Sequence, residues 1–586
     1  MTTLQRLRLP ALFCCLAFLL CVIVTHPSAE MGICDDWSYI LTAQKLAATG
    51  HLQYNGWATA MLGWQLYLGA AFVRLFGFSF TVVRMSTLFV AVLTAFFIHR
   101  TLARVGLSAR TATIGTLAII FSPVYMMLSV TFMSDIQGLF ALVLCLYSCL
   151  RALQATAARS ITAWICCAVF ANTLCGSARQ IAWLGVLVMV PCTLWLLRSR
   201  RSVLFIGIAA NLIGALCIFA AMQWFKHQLY SIPEHLLPKS FTVMNVLWSM
   251  VHLVLDIPFL ILPLAALFLP ELRKYSRRTL ALFAAFAILY FLATRHLWHI
   301  NPNPLLEPAL FDWVNVHGIF EGVGLFGTGL FGTPPIFLPV SVQIVLTVVS
   351  VASLFCILAS LLRSRTSPGL HPDSASSSQA AAAISTRQLA VLLGPFTAAY
   401  LVLLIPRANE SHLVDRYLLP LLVLVAIILL RFYQTYIHPR IPAASLVLIG
   451  VYAIYSIAVT HNLFSFYRAR IDLATELHSA GIPDTAVDTG WEQDAWVELQ
   501  YAPNINDSRI INPANAYTHM RTRQSGQCSI AEAFPHITPR YAISFDPNAC
   551  QGPTAFAPVH YSRWLASQPG TLYVVADKLP PPQPAP

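Results

Sequence analysis

The chain has 586 residues, of which 57% are hydrophobic and 10% charged, and its mean hydropathy is +0.68. Such a composition excludes a soluble globular protein and indicates a polytopic helical membrane protein. The formal charge of +12 does not point to nucleic acid, because the basic residues lie in short clusters between apolar runs, the pattern of cytoplasmic loops under the positive-inside rule.

Most of the 14 cysteines are scattered through apolar runs without metal-ligand spacing and read as small core residues. Cys528 and Cys550 alone share a polar region, where a disulfide is favoured if that region faces an oxidising compartment.

The first apolar run, Leu9 to Val24, follows Arg6 and Arg8. It reads as an uncleaved first span with its N-terminus inside, although His26-Pro27-Ser28-Ala29 has some likeness to a cleavage region. Directly after it stands Cys34-Asp35-Asp36-Trp37-Ser38-Tyr39. Two adjacent carboxylates near hydrocarbon are costly, since each disfavours ionisation of the other and burial disfavours both. The pair fits a helix N-cap or solvated loop as well as a functional site. Beyond it, Asp36 to Thr49 and Trp57 to Phe76 carry helical apolar periods and predict two helices along the membrane interface, with residues 50–56 as the turn between them.

At about 20 apolar residues per crossing, the sequence predicts about 13 spans. Their centres fall near residues 17, 91, 121, 143, 168, 189, 213, 258, 286, 350, 396, 426 and 452. The basic clusters, among them Arg100/Arg104, Arg151/Arg159, Arg198/Arg200/Arg201 and Arg431, occupy alternate connections on the side of the N-terminus, which places that side in the cytoplasm. The opposite, outside connections then hold the sparse charges of the apolar body: Asp35, Asp36, Asp135, Arg179, Arg407, Asp415 and Arg416 among them. A site is therefore expected on the outside face.

Gly322 to Gly329 is rich in glycine but has no preceding strand and no closing Lys-Ser/Thr, so it is not a phosphate loop; it reads as the lining or cover of a cavity. Ser364 to Ser385 is a Ser/Ala/Pro-rich cytoplasmic linker. Residues 466–586 change composition and predict a small mixed α/β extracytoplasmic domain with a Pro-rich end, after a membrane domain over 1–465.

The order of short motifs resembles the GT-C glycosyltransferases, in particular the protein O-mannosyltransferase-like group and the lipid A aminoarabinose transferases. Asp35-Asp36-Trp37-Ser38-Tyr39 has the spacing of the Asp-Glu-x-x-Tyr in their first loop, with Asp for Glu. Val83-Arg84-Met85-Ser86 resembles the start of their second span, Met133-Ser134-Asp135-Ile136 the acidic end of the fourth, Ser177-Ala178-Arg179-Gln180 a basic-Gln patch, and Asp415-Arg416-Tyr417-Leu418-Leu419-Pro420 their late Arg-Tyr-Leu-Leu-Pro. The resemblance covers residues 1–465 and leaves the tail out.

The resemblance implies a GT-C fold and an inverting transfer of a sugar from a polyprenyl-phosphate donor to a lipid, glycan or protein acceptor on the extracytoplasmic face of a bacterial inner membrane. It implies Asp35, with Asp36 beside it, as catalytic carboxylates. It further implies Tyr39, Arg84, Asp135, Arg179, Gln180, Arg407, His412, Arg416 and Tyr417 as substrate contacts. A carboxylate suits an acceptor hydroxyl, which is a poor nucleophile without a base; guanidinium groups suit a departing phosphate. Asp135 also reads as a cap of its helix, Arg84 as a snorkelling or lipid-binding residue, and His412, Asp415 and Arg416 as a loop ion pair. Trp57 reads as a sugar contact or an interfacial anchor.

Asp35, Asp36, Asp135 and a histidine have donor atoms suited to a divalent ion, but a monophosphate leaving group does not require one, and no cofactor is expected. A transporter or flippase of a lipid-linked glycan is the alternative from another class. It favours broken helices in two matching halves, and the sequence has no such repeat.

Overall fold

The computed structural model describes residues 3–233, 241–285, 288–289, 330–332, 335, 340–366, 384–409, 415–437, 441–519 and 533–577. Helices dominate. Eleven of them run to residue 260: α1 (Thr3–Thr25), α2 (Asp36–Thr49), α3 (Gly63–Phe76), α4 (Phe80–Arg104), α5 (Ala109–Ile120), α6 (Pro123–Ser129), α7 (Asp135–Gln154), α8 (Ala158–Cys175), α9 (Val190–Leu196), α10 (Arg201–Lys226) and α11 (Val243–Leu260). Later helices include Val340–Thr366, Thr386–Asn409, Leu419–Phe432 and Ala443–Ser479.

Among the described residues, seven helices are long and apolar enough to cross a membrane, or eight if the bent pair α5–α6 forms one span. Four shorter apolar helices, Leu9–Thr25, Gln180–Leu196, Leu262–Glu271 and Val348–Leu362, accompany them. The span centres expected from the sequence fall on or next to these helices, the one near 121 at the α5–α6 bend. The centre near 286 and the glycine-rich run 322–329 lie outside the described residues.

Local chemistry sets several of the boundaries. Ser79 caps α4 by accepting from the Val82 N–H at 3.0 Å, while the Glu30 carboxylate accepts from the Phe80 N–H at 2.9 Å and the Thr81 hydroxyl at 2.7 Å. Ser122 restarts the chain after Phe121 by capping α6, whose first residue is Pro123, and the axis turns by 67° there. The α2 helix stops at Gly50, whose φ of 75° lets its N–H reach the Leu46 carbonyl.

Exposure separates the inner helices from the outer ones. In α7, 83% of the apolar window is buried, against 22% in α10; α7 is the central post, and α10 presents its apolar side outward, as a lipid-facing helix does. The two helices expected over Asp36–Thr49 and Trp57–Phe76 are α2 and α3, the second starting only at Gly63. They pack on one another, and α2 is further covered by the helix Trp491–Tyr501 of the C-terminal region.

The helix Ala443–Ser479 runs from the bundle through the expected boundary at 465/466. The C-terminal region adds a small sheet of β1 (Val487–Asp488), β2 (Tyr541–Ser544), β3 (Val559–Tyr561) and β4 (Gly570–Ala576) in the order β1-β2-β4-β3. β1 and β2 are parallel and the other pairs antiparallel. Phe331, from the long connection before the helix Val340–Thr366, accepts the Phe545 N–H at 2.9 Å, so a bundle loop joins this sheet at its margin. Cys550 is disulfide-bonded; Cys528 lies outside the described residues.

Candidate active site

The two adjacent carboxylates part company in the fold. Asp36 opens α2 and is fully buried. Its Oδ1 accepts from the Ile33 N–H at 2.6 Å and Arg84 Nη2 at 3.1 Å, and its Oδ2 from Arg84 Nε at 2.8 Å and the Phe132 N–H at 3.2 Å. Arg84 also donates from Nη1 to the Ala29 carbonyl at 2.8 Å and from Nη2 to the Met31 carbonyl at 2.5 Å. The fork between them is a two-point, charge-assisted pair. It ties the end of the 26–35 segment, α4 and the strand of chain before α7 to one point. With four donors on two oxygens, Asp36 has no acceptor left for a proton, and Arg84 has no free face for a phosphate. Expected as a catalytic carboxylate and a substrate contact, Asp36 and Arg84 are thus engaged with each other and with backbone groups, an arrangement that suits a structural clasp.

Asp35 points the other way, its side chain 25% exposed. Its Oδ1 accepts from the Trp57 indole N–H at 2.8 Å, and its Oδ2 lies 3.8 Å from Arg416 Nη2. That separation is too long for a hydrogen bond but short enough for strong attraction. Arg416 Nη1 is 3.9 Å from the Cys34 sulfur, and its buried Nε has no hydrogen-bond partner among the described residues. This guanidinium therefore keeps donors in reserve.

On its other side, Arg416 lies 5.8 Å from the centre of the Tyr417 ring, and Arg179 covers the same ring at 4.8 Å. Arg179 is paired with Asp135 Oδ1 at the start of α7, while Asp135 Oδ2 is buried without a hydrogen bond among the described residues. The close approach of Arg179 to α7 depends on Gly138, where an added Cβ would stand 3.2 Å from Arg179 Cβ and Cδ. Tyr400 donates its hydroxyl to the Tyr417 carbonyl at 2.7 Å, which fixes the start of the Asp415 to Leu418 turn.

Tyr39 is buried within reach of the charges of Asp35, Arg416, Cys34 and Asp135. Burial first, and the Asp35 charge second, push the Tyr39 phenol and the Cys34 thiol up, so both remain neutral at neutral pH. Gln180 does not join the cluster through its amide nitrogen, which donates to the Thr59 carbonyl at 3.2 Å and braces the 51–62 connection. Arg407 occupies the last turn of the helix Thr386–Asn409, half-buried. His412 lies outside the described residues. Among the described residues no group of three or more His, Cys, Asp and Glu side chains is placed to hold a metal ion.

One part of the site was not expected. Trp57 packs between Trp37 and Trp491, with ring centres at 5.7 and 5.0 Å, and Trp491 packs on Phe534 at 4.7 Å. Trp491 begins a helix of the C-terminal region. The indole that holds Asp35 is thus itself held from outside the bundle. Trp57→Phe keeps the packing and deletes one hydrogen bond to a charged oxygen, a contact typically worth about 1.5–3 kcal/mol. Any turnover that depends on Asp35 should fall about tenfold in kcat with the donor KM unchanged, measured by steady-state kinetics in detergent.

No family model matches the chain, and no curated protein does. Solved structures with partial likeness include ArnT from Cupriavidus metallidurans in the apo state, with 15% identity, 79% of each chain covered and a TM-score of 0.37. The same protein bound to undecaprenyl phosphate gives 12% identity over 95% of this chain and 97% of that one, with a TM-score of 0.38. The Archaeoglobus fulgidus oligosaccharyltransferase in complex with Zn and sulfate gives 14% identity, 68% and 53% coverage, and a TM-score of 0.29.

Proposed function

We propose that the chain is an integral-membrane, inverting glycosyltransferase of GT-C type that uses a polyprenyl-phosphate sugar. The observation that carries this reading is Asp35 Oδ2, which faces at 3.8 Å the guanidinium of Arg416, whose buried Nε has no hydrogen-bond partner among the described residues. A base and a cation side by side are what a hydroxyl attack with phosphate departure requires. The acceptor oxygen forms its bond to the anomeric carbon as the bond from that carbon to the phosphate oxygen breaks. The electron pair leaves with the phosphate, toward Arg416 and Arg179, and the acceptor proton passes to Asp35. A single displacement of this kind inverts the anomeric centre.

Trp57 supports the assignment of Asp35 as base by fixing one oxygen and leaving the other for the substrate. The distribution of basic clusters supports a cytoplasmic N-terminus and an extracytoplasmic site. In a bacterium the membrane would be the inner one, and the acceptor a lipid, a glycan or a protein. The transporter reading gains little: among the described residues one span, α5–α6, is broken, and transport by rocking repeats would need a counterpart in the other half.

The test is incubation of the purified chain with a panel of polyprenyl-phosphate sugars and acceptor-containing membranes, following release of polyprenyl phosphate and the configuration of the product. Turnover with inversion is expected for at least one donor. No release from any donor, or a product of retained configuration, overturns the reading. Arg416→Gln is expected to lower kcat/KM by about 10²-fold, the usual effect of removing one donor from a developing oxyanion.

A further inference from the structure

The helices that start at the site end at a second polar place. Arg84 and Arg104 lie at opposite ends of α4, 20 residues and hence about 30 Å apart; Asp135 and Arg151 lie at opposite ends of α7, 16 residues and hence about 24 Å apart. At that far end is a cavity of about 320 Å³ lined by Arg104, Arg151, Gln154, Thr156 and Ser160, together with Ala155 and Ala157. The two guanidiniums there are weakly engaged. Arg104 reaches Gln154 Oε1 at 3.3 Å and Arg151 the Tyr147 hydroxyl at 3.4 Å, both neutral partners, while Arg151 also covers the Trp164 ring at 4.5 Å. Among the described residues no carboxylate lines the cavity, and between Asp36 and Glu234 the sequence offers only Asp135, at the other end of α7.

The cavity also receives the first turn of α8, whose cap residue Ala157 has no side-chain acceptor to offer the free N–H groups. Arg200 donates to the Thr156 carbonyl at 2.6 Å and ties down the α7–α8 connection. Two cations that share a cavity without an anion repel each other, and uncapped N–H groups beside them add to the positive potential.

We propose that this cavity binds a phosphate-bearing anion, the headgroup of an anionic phospholipid or a free phosphate, on the face opposite the Asp35 site. The paired forks of Arg104 and Arg151 take the phosphate oxygens, the α8 N–H groups and Ser160 complete the shell, and Trp164 holds the Arg151 fork in plane. Its height, one hydrocarbon thickness from the site, puts it at the opposite headgroup level, where basic recesses between spans recognise acidic lipids. The assignment does not depend on the reaction proposed for Asp35.

The experiment is native mass spectrometry of the full-length chain in detergent, titrated separately with phosphatidylglycerol, phosphatidylcholine and inorganic phosphate. One saturable equivalent of phosphatidylglycerol is expected, weakened at least tenfold in R104Q/R151Q. Because that pair of changes removes buried contacts, Ser160→Glu is the second variant. An acidic residue in the first turn suits the α8 helix yet occupies the cavity with the wrong charge, and the same loss is expected from it. Saturable binding of inorganic phosphate with the same dependence on both variants supports the proposal with a soluble anion as the source. Equal binding of phosphatidylglycerol by all three proteins, or of phosphatidylcholine and phosphatidylglycerol by the native chain, overturns it.

Discussion

Asp35→Asn should reduce polyprenyl phosphate release by about 10²- to 10⁴-fold, the range that a positioned general base contributes, with little change in donor KM. The substitution is nearly isosteric. The side-chain oxygen can still accept the Trp57 N–H now found at 2.8 Å, so the loop should keep its place and the loss of thermal stability should stay within about 1 kcal/mol, the range for a partly exposed ion pair. What disappears is the acceptor for the hydroxyl proton and the attraction that draws Arg416 toward the site. A variant that keeps kcat within threefold of the native enzyme while folding normally would remove Asp35 from the chemistry and return the whole cluster to a structural role. Arg416→Gln separates the two contributions, because it spares the base. In a double variant with Asp35→Asn the losses should be less than additive if both act on one transition state.

Much of this architecture is legible before any coordinates. Apolar period and turn chemistry place α2 at Asp36 to Thr49, where the structure has it, and the structure brings Asp35, Asp135, Arg179, Arg416 and Tyr417 together in one cluster. The division of labour within Asp35-Asp36 is not legible. Adjacent residues of a helical start differ by about 100° in direction, and which of them turns inward depends on Arg84, 48 residues away. The same limit hides Trp57 and Trp491. An aromatic residue in a loop carries no mark that tells an interfacial anchor from a hydrogen-bond donor to Asp35. Trp491 acts from a region in which no sequence motif points toward the bundle. Gln180, a substrate contact by the resemblance of its motif, spends its amide nitrogen on the Thr59 carbonyl, a partner that no local sequence signal marks.

Arg84→Ala should be the most damaging single change to the fold, costing about 3–5 kcal/mol, the usual result of removing one partner from a buried ion pair. The loss goes beyond the pair itself. Asp36 would keep its two backbone donors, from Ile33 and Phe132, but its charge would be buried without a cation, while the Ala29 and Met31 carbonyls would lose the donors that hold the 26–35 segment. That segment carries Asp35, so the variant should lose activity together with heat stability. Asp36→Asn tests the same clasp from the other side and should cost less, since an amide oxygen can still accept from Arg84 and the uncompensated charge is then a guanidinium with two carbonyls and the faces of Phe80 and Phe464 around it. Thermal unfolding in detergent, read beside turnover, distinguishes the roles: a clasp loses stability and activity in parallel, whereas a catalytic carboxylate at Asp36 would lose activity at an unchanged midpoint. With all four donors already on its two oxygens, the parallel loss is the expected result.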